Sequence, residues 1–147
     1  MSDLRELYQE VIIDHGRHPR NFGELSGASH RKEGFNPLCG DKVTIYIIEK
    51  DGVIQDARFE GSGCAISMAS ASLMTETLKG KSLADAEVLF SAFHQLVTEN
   101  KPSEILGKLT VLAGVSEFPA RVKCATLAWH TLKAALNNDS SLISTEK

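Results

Sequence analysis

The chain has 147 residues, of which 42% are hydrophobic and 24% charged, with three cysteines and a formal net charge of −3 at pH 7. This composition is typical of one globular domain, so we predict a single domain over residues 1–147. The sequence shows no basic stripe for nucleic acid, no apolar run near the ~20 residues of a membrane span, and no signal-peptide pattern at its start. We therefore expect a cytoplasmic protein without nucleic-acid or membrane partners, in a compartment where disulfides are rare.

The first predicted element is an amphipathic helix over residues 3–18. Its apolar residues recur at the three-four spacing of one helical face, at Leu4, Leu7, Tyr8, Val11 and Ile12. Pro19 and the turn residues that follow it end the helix. His15 and His18 lie near the C-terminal end, where the helix dipole favours positive charge, and we interpret both as capping or surface residues.

A short antiparallel sheet is predicted next. Residues 24–36 are polar and interrupted by glycine, and they are compatible with one edge strand. Residues 43–49 are rich in β-branched and aromatic side chains, which predicts a strand. The turn sequence Lys50-Asp51-Gly52 predicts a hairpin that returns as a second strand over 53–60.

The predicted hairpin brings two cysteine-bearing loops together. An antiparallel pair of this length places Asp41 near residues 60–63 at one end of the sheet. The loops that carry Cys39 and Cys64 therefore fall at the same end. This register is the strongest geometric indication in the sequence that two of the three cysteines are neighbours.

Two helices are predicted after the hairpin. Residues 65–78 carry many small side chains and end before Gly80, a favourable residue just beyond a helix. Ser82 is a typical N-cap for a helix over 83–98. The predicted core residues of that helix are Leu83, Ala86, Val88, Leu89, Phe93, Leu96 and Val97. His94 lies among polar neighbours and is interpreted as structural or exposed.

Two more helices and a tail complete the chain. One helix is predicted from residue 103 to about residue 112, and the last over 117–137, with Pro119 in its first turn. The apolar stripe of the last helix consists of Phe118, Val122, Ala125, Trp129, Leu132 and Leu136. Cys124 is one residue off this stripe, at the edge of the buried face. Residues 140–147 are polar and are predicted to be a disordered tail.

These elements predict an α+β fold, in which a small antiparallel sheet of about three strands packs against a layer of helices. Such a fold can gather the side chains of Cys39, Asp41, Cys64 and Cys124. Three thiolates and one carboxylate are a donor set for tetrahedral zinc, and Cys64 at a helix N-terminus would have its thiolate favoured by the dipole. Positive potential near the thiolates would come from Arg121, together with Lys42 and Lys123.

Simpler interpretations of the same residues stay open on spacing alone. Free cysteines are among the most buried residue types, so three unrelated buried thiols would look the same in sequence. Asp41 can bridge a turn, and Arg121 and Lys123 can belong to a solvated helix face. The chain also has no C-x₂-C pair of the usual zinc kind.

Four motifs occur in order along the chain. They are Asp14-His15 with Pro19-Arg20-Asn21, then Asn36-Pro37-Leu38-Cys39-Gly40-Asp41, then Phe59-Glu60-Gly61-Ser62-Gly63-Cys64-Ala65-Ile66-Ser67, and lastly Cys124. Together they resemble the U-type iron–sulfur cluster assembly family, also called NifU N-terminal or IscU-like, from Leu7 to Leu136. The three cysteine motifs in this order are highly specific.

The segment before the third cysteine resembles the SufU branch of that family. IscU-like scaffold chains carry a Leu-Pro-Pro-Val-Lys type motif for a chaperone, and a histidine just before this cysteine. Here the segment is 117–124, with Lys123 in the place of the histidine, and the stretch between Cys64 and Cys124 is longer. Chaperone-driven cluster transfer is therefore not expected.

The resemblance implies a zinc ion held by Cys39, Asp41, Cys64 and Cys124. It also implies that the chain accepts persulfide sulfur from a SufS-like, pyridoxal-phosphate cysteine desulfurase, and that a partner histidine takes one zinc position to release a thiolate. We assign the acceptor role to Cys39, on its loop, and a docking or polarising role to Arg121. A downstream iron–sulfur scaffold or apo-proteins would then receive the sulfur.

Two other functions use the same residues. The chain can be a scaffold on which a 2Fe–2S cluster is assembled and passed to apo-proteins, because thiolates suit iron as well as zinc. It can also be a module whose zinc only stabilises the fold. Lys123 favours the sulfurtransferase, and whether the chain is an enzyme in its own right stays open.

Overall fold

The computed structural model describes residues 2–37, 40–137 and 143–144, with side chains described from residue 8 to residue 137 apart from 38 and 39. The helices and strands, in chain order, are α1 Ser2–Arg17, β1 His30–Asn36, β2 Asp41–Lys50, β3 Val53–Ser62, α2 Ala65–Leu78, α3 Leu83–Glu99, a 3₁₀ segment Glu104–Glu117, α4 Pro119–Leu136 and β4 Ile143–Ser144.

The strands form one sheet in the order β3-β2-β1-β4. The pairs β1–β2 and β2–β3 are antiparallel, and β4 runs parallel to β1. One face of β2 packs against the helices through Val43, Ile45 and Ile47, which are at most 2% exposed. The α+β prediction is therefore confirmed, with helices on one side of a mainly antiparallel sheet.

The β2–β3 turn forms as predicted. Asp51 and Gly52 have φ angles of 55° and 78°, and positive φ at both central residues is the feature of the type I′ turn that suits a two-residue hairpin. A bulge between Ile48 and Glu49 then shifts the pairing by one residue, so that Lys42 pairs with Ser62. Asp41, the residue before Lys42, therefore lies beside the chain as it leaves β3 toward α2.

The helices pack into one apolar core on the inner face of the sheet. Trp129 of α4 stacks on Phe93 of α3 with ring centroids 4.7 Å apart, and Ser82 caps α3 by accepting a hydrogen bond from the backbone N–H of Asp85. Two predicted core residues are wrong. Val88 is 56% exposed and Phe118 is 61% exposed, because no other described element packs over either side chain.

Two further differences concern a helix and the tail. The predicted helix from 103 to about 112 is instead the 3₁₀ segment, which extends to Glu117 and is broken at Gly107, where φ is 51° and ψ is −123°. Within the predicted tail, Ile143–Ser144 pair with Gly34 and Phe35, because the outer edge of β1 offers unpaired backbone groups. The other residues of the tail, 140–142 and 145–147, lie outside the described residues.

His15 differs most from its prediction. It is not a capping or surface residue, since only 3% of it is exposed, whereas His18 is exposed as expected. A hydroxyl from α2 supplies a hydrogen-bond partner inside the protein, which makes burial of the imidazole tolerable. Across the described part of the chain, no helix is both long and apolar enough to cross a bilayer.

Candidate metal centre

Three of the four predicted ligands come together at one end of the sheet. Asp41 begins β2 and is fully buried, Cys64 precedes α2 and is half-buried, and Cys124 lies in α4 and is fully buried. One ligand atom from each residue lies within 4.8 Å of the other two. Cys39, the predicted fourth ligand, lies outside the described residues.

Asp41 is held by the residues that connect β3 to α2. Its Oδ1 accepts a hydrogen bond of 2.8 Å from the backbone N–H of Cys64, and its Oδ2 lies 3.8 Å from Cys64 Sγ. Residue 63 must be glycine for this arrangement, because a Cβ there would overlap Asp41 Oδ1. Gly63 therefore makes room for the Asp41 carboxylate.

Cys64 occupies the N-cap of α2, with φ −72° and ψ 166°. Its Sγ accepts a hydrogen bond from the backbone N–H of Ser67 at 3.4 Å. An N-cap side chain satisfies one of the helix's unpaired donors, and the positive end of the helix dipole stabilises negative charge at this position. Cys64 therefore lies at the N-terminus of a helix, as its place in the sequence predicted.

Cys124 approaches the site from the opposite side, in the second turn of α4. It is 0% exposed, so it lies within the buried face and not at its edge. Its Sγ accepts a hydrogen bond from Asn36 Nδ2 at 3.6 Å and lies 3.8 Å from the carbonyl oxygen of Ala120. Asn36 is a site residue that the sequence reasoning missed, although it stands at the start of the Cys39 motif.

The donor set fits zinc. Bond lengths of about 2.3 Å to sulfur and about 2.0–2.2 Å to oxygen place two tetrahedral ligands roughly 3.6 Å apart, close to the 3.8 Å between Cys64 Sγ and Asp41 Oδ2. Neither Cys64 nor Cys124 is in a disulfide among the described residues. Two thiolates also suit iron, so the geometry by itself favours neither metal.

An apolar groove opens beside the metal centre. It has a volume of about 710 Å³ and is lined by α1, the start of α2, the 3₁₀ segment and the start of α4. Ile66, Phe118 and Arg121 belong to its lining. Arg121 is exposed one turn before Cys124, so the predicted docking residue stands where the groove meets the site.

A second buried polar cluster lies further along α2. Ser72 Oγ is 2.7 Å from His15 Nδ1 and accepts a hydrogen bond of 2.8 Å from the backbone N–H of Arg20. Asn21 donates to Thr75 Oγ1 at 3.2 Å. Burial lowers the pKa of His15, and the Arg20 guanidinium lowers it further, so this imidazole is neutral near pH 7.

Comparison with known proteins agrees with the geometry. The chain matches the family described as NifU-like N terminal domain over residues 7–125. It is 43% identical to the zinc-dependent sulfurtransferase SufU of Bacillus subtilis (strain 168), over 90% of this chain and 90% of that protein. It is 39% identical to the iron–sulfur cluster assembly scaffold protein IscU of Streptococcus pyogenes serotype M1, over 96% and 89%.

Solved structures show the same architecture. A crystal structure assigned to the iron–sulfur cluster assembly scaffold of the SUF system from Fervidobacterium islandicum AW-1 superposes with a TM-score of 0.83. The two chains are 35% identical, and the match covers 90% of this chain and 98% of the other. The arrangement of sheet and helices is therefore shared with proteins of related sequence.

Proposed function

Because this chain belongs to the NifU-like N-terminal domain family, as its motifs predicted, we propose that it serves iron–sulfur cluster assembly as a zinc-dependent sulfur acceptor. The observation that carries this proposal is the convergence of Asp41, Cys64 and Cys124 within 4.8 Å. A buried carboxylate beside two thiols, with no cation among the three, is costly unless something positive binds there. A metal ion answers that requirement.

The proposed zinc ligands are Asp41, Cys64 and Cys124, with Cys39 as the fourth. Bound zinc supplies Lewis acidity that keeps ligating cysteines deprotonated at neutral pH. Cys64 and Cys124 act as anchors, because Cys64 caps α2, and Cys124 lies in α4 with no exposed surface. The Cys64 backbone N–H fixes the Asp41 carboxylate, which is the hard oxygen donor of the site.

Cys39 is the proposed acceptor of sulfur. Its thiolate attacks the terminal sulfur of a cysteine persulfide on the donor enzyme, a new S–S bond forms, and the donor's own S–S bond breaks. The donor cysteine leaves as a thiolate, Cys39 becomes the persulfide, and no external oxidant or reductant is consumed. The sequence of its loop, with Gly40 next to it, supports this assignment.

The proposed donor is a SufS-like cysteine desulfurase that uses pyridoxal phosphate. Arg121 at the end of the apolar groove would dock that enzyme or polarise the site, and a histidine of the donor would replace Cys39 on the metal. The sulfur would pass on to an iron–sulfur scaffold or to apo-proteins. We place this exchange in the cytosol, where cysteine thiols stay reduced.

A second function is favoured by the relatives named as IscU scaffolds. The same cysteines and Asp41 would then hold a 2Fe–2S cluster during its assembly, since thiolates ligate such clusters. The two functions differ in what the site carries when sulfur arrives. Sulfur acceptance by the zinc-loaded chain supports the first, and acceptance only with iron present supports the second.

The variant Cys39→Ser tests the proposed acceptor. We expect zinc-loaded wild-type protein to accelerate a SufS-like desulfurase under a physiological reductant, and to carry a persulfide on Cys39 in peptide mass spectrometry. Cys39→Ser should reduce the rate to that of the desulfurase alone. Full acceleration by Cys39→Ser would contradict the role of Cys39. The control is the variant Thr98→Ala, which changes an exposed residue in α3.

A further inference from the structure

Asn36 is the last residue of β1 and reaches into the metal centre. Its side chain is 0% exposed, and its amide donates a hydrogen bond to Cys124 Sγ at 3.6 Å. Sulfur has a larger radius than oxygen, so hydrogen bonds to it are longer than the ~2.9 Å of N–H···O bonds. The contact joins residues 88 positions apart, and it brings a strand of the sheet to a ligand on a helix.

The backbone of Asn36 also contacts the start of β2 and the residue before it. Its carbonyl oxygen accepts a hydrogen bond of 2.9 Å from the backbone N–H of Gly40, and its Cα is the register partner of Asp41. Asn36 therefore contacts Cys124 with its side chain and, with its backbone, pairs with Asp41 and accepts a hydrogen bond from Gly40. A change in the Asn36 side chain alters the first of these contacts and leaves the backbone contacts in place.

An amide donor changes the chemistry of the sulfur that it contacts. A hydrogen bond to a thiolate stabilises its negative charge and lowers the energy of its lone pairs, which makes the sulfur a poorer nucleophile. The effect is larger in a buried site, where water does not compete. Cys64 receives its donor from the Ser67 backbone, whereas the Cys124 donor is a side chain and can be removed by substitution.

We propose that Asn36 is a positioning residue that makes Cys124 an anchor for the metal and directs incoming sulfur away from it. This proposal rests on the proposed function, because it explains why one thiol of the site accepts sulfur and another does not. The Asn36 amide fixes Cys124 Sγ in place and lowers its reactivity, while the Asn36 backbone pairs with Asp41. Asn36 does not itself touch the transferred sulfur.

The test compares Asn36→Leu with wild type in cobalt-substituted protein. Leucine has nearly the shape of asparagine but donates no hydrogen bond. We expect thiolate-to-cobalt charge-transfer bands to move to lower energy in Asn36→Leu, and zinc affinity to fall about 10–100-fold, as for other outer-shell partners of metal ligands. Persulfide should also appear on Cys124 after reaction with the desulfurase.

Thr131→Val is the matched control. It removes a buried side-chain donor from α4, where Thr131 Oγ1 donates to the Leu127 carbonyl oxygen of its own helix, and it should leave the bands and the zinc affinity unchanged. Asn36→Ala makes no steric demand and replaces Asn36→Leu if that variant does not fold by circular dichroism.

Folded Asn36 variants with wild-type bands and wild-type zinc affinity would overturn the proposal. Equal losses in Thr131→Val would overturn it as well, because the effect would then be general to the packing of α4. The cobalt spectra need no desulfurase, so a wild-type protein that fails to accept sulfur would contradict the proposed function while this test of Asn36 still stands.

Discussion

Two buried polar clusters lie on the same helix, α2, and they have different consequences. At its N-terminus, Asp41 and Cys64 meet Cys124 with ligand atoms within 4.8 Å. Two turns further on, Ser72 contacts His15 and the Arg20 backbone. The first cluster gathers donors that metals prefer, and the second is held by ordinary hydrogen bonds. Burial of polar groups therefore does not identify a site by itself, and the chemistry of the donors does.

The two clusters also differ in whether they require a glycine in the backbone. The metal centre depends on Gly63, which leaves space for the Asp41 carboxylate. The His15 cluster is held by the Ser72 hydroxyl, which contacts the His15 side chain and the Arg20 backbone N–H. Substitutions in the first should therefore reduce metal binding, and substitutions in the second should reduce stability while metal binding persists.

The largest effect is expected for Gly63→Ala. The added Cβ displaces Asp41 Oδ1, so zinc affinity should fall by at least the ~10–100-fold seen when an outer-shell partner of a ligand is lost. A competitive titration with a zinc chelator measures it. Gly114→Ala is the control, since a Cβ at Gly114 meets none of the described atoms within 4 Å. Wild-type zinc affinity in a folded Gly63→Ala variant would contradict the described geometry.

A smaller effect, on stability and not on metal binding, is expected for Ser72→Ala. It leaves His15 Nδ1 and the Arg20 N–H without their buried partner, and such a loss costs about 1–3 kcal/mol of unfolding free energy. Urea denaturation of the metal-free protein measures this cost, and chelator titration of the same variant should return the wild-type zinc affinity. A large loss of zinc affinity in Ser72→Ala would remove the distinction between the two clusters.

The smallest effect is a dependence of stability on pH. Burial lowers the pKa of His15, and burial also lowers that of His130. On acidification the unfolded chain therefore binds more protons than the folded one. The free energy of unfolding is highest above the unfolded-state histidine pKa of about 6.5, and it decreases as the pH drops from there toward the folded-state pKa values. The lowered pKa of Asp14 acts only at pH values below about 3.9.

Urea midpoints measured between about pH 7 and about pH 5 check this sign. The decline should be smaller in His130→Gln, which removes one of the two groups. Stability that rises on acidification over this range would show that the imidazoles gain a charged partner on folding, and the account of the His15 cluster would be wrong.

The elements predicted well are those whose signals are local. The Asp51-Gly52 turn starts the β2–β3 hairpin where it was predicted, and the hairpin brings Asp41 to the same end of the sheet as Cys64. Ser82 marks the start of α3 in the same way. These features depend on a few neighbouring residues, so a single sequence contains them.

The features that were missed depend on contacts between distant residues. His15 is a polar residue near the end of a helix, and nothing nearby in the sequence indicates that Ser72 is its hydrogen-bond partner. Phe118 fits an apolar stripe but lies beside an open groove, where no described element covers it. Asn36 gives one usable signal, since it is a polar residue at an inward position of a strand, directly before the Cys39 loop.

The central claim is that Cys39, Cys64, Cys124 and Asp41 hold one zinc ion. Zinc-edge X-ray absorption of the protein isolated without oxygen tests it most directly. We predict one zinc per chain, with sulfur neighbours at about 2.3 Å and a lighter neighbour at about 2.0–2.2 Å. Zinc surrounded only by oxygen and nitrogen, or protein that contains no zinc and binds none when it is supplied, would contradict the account.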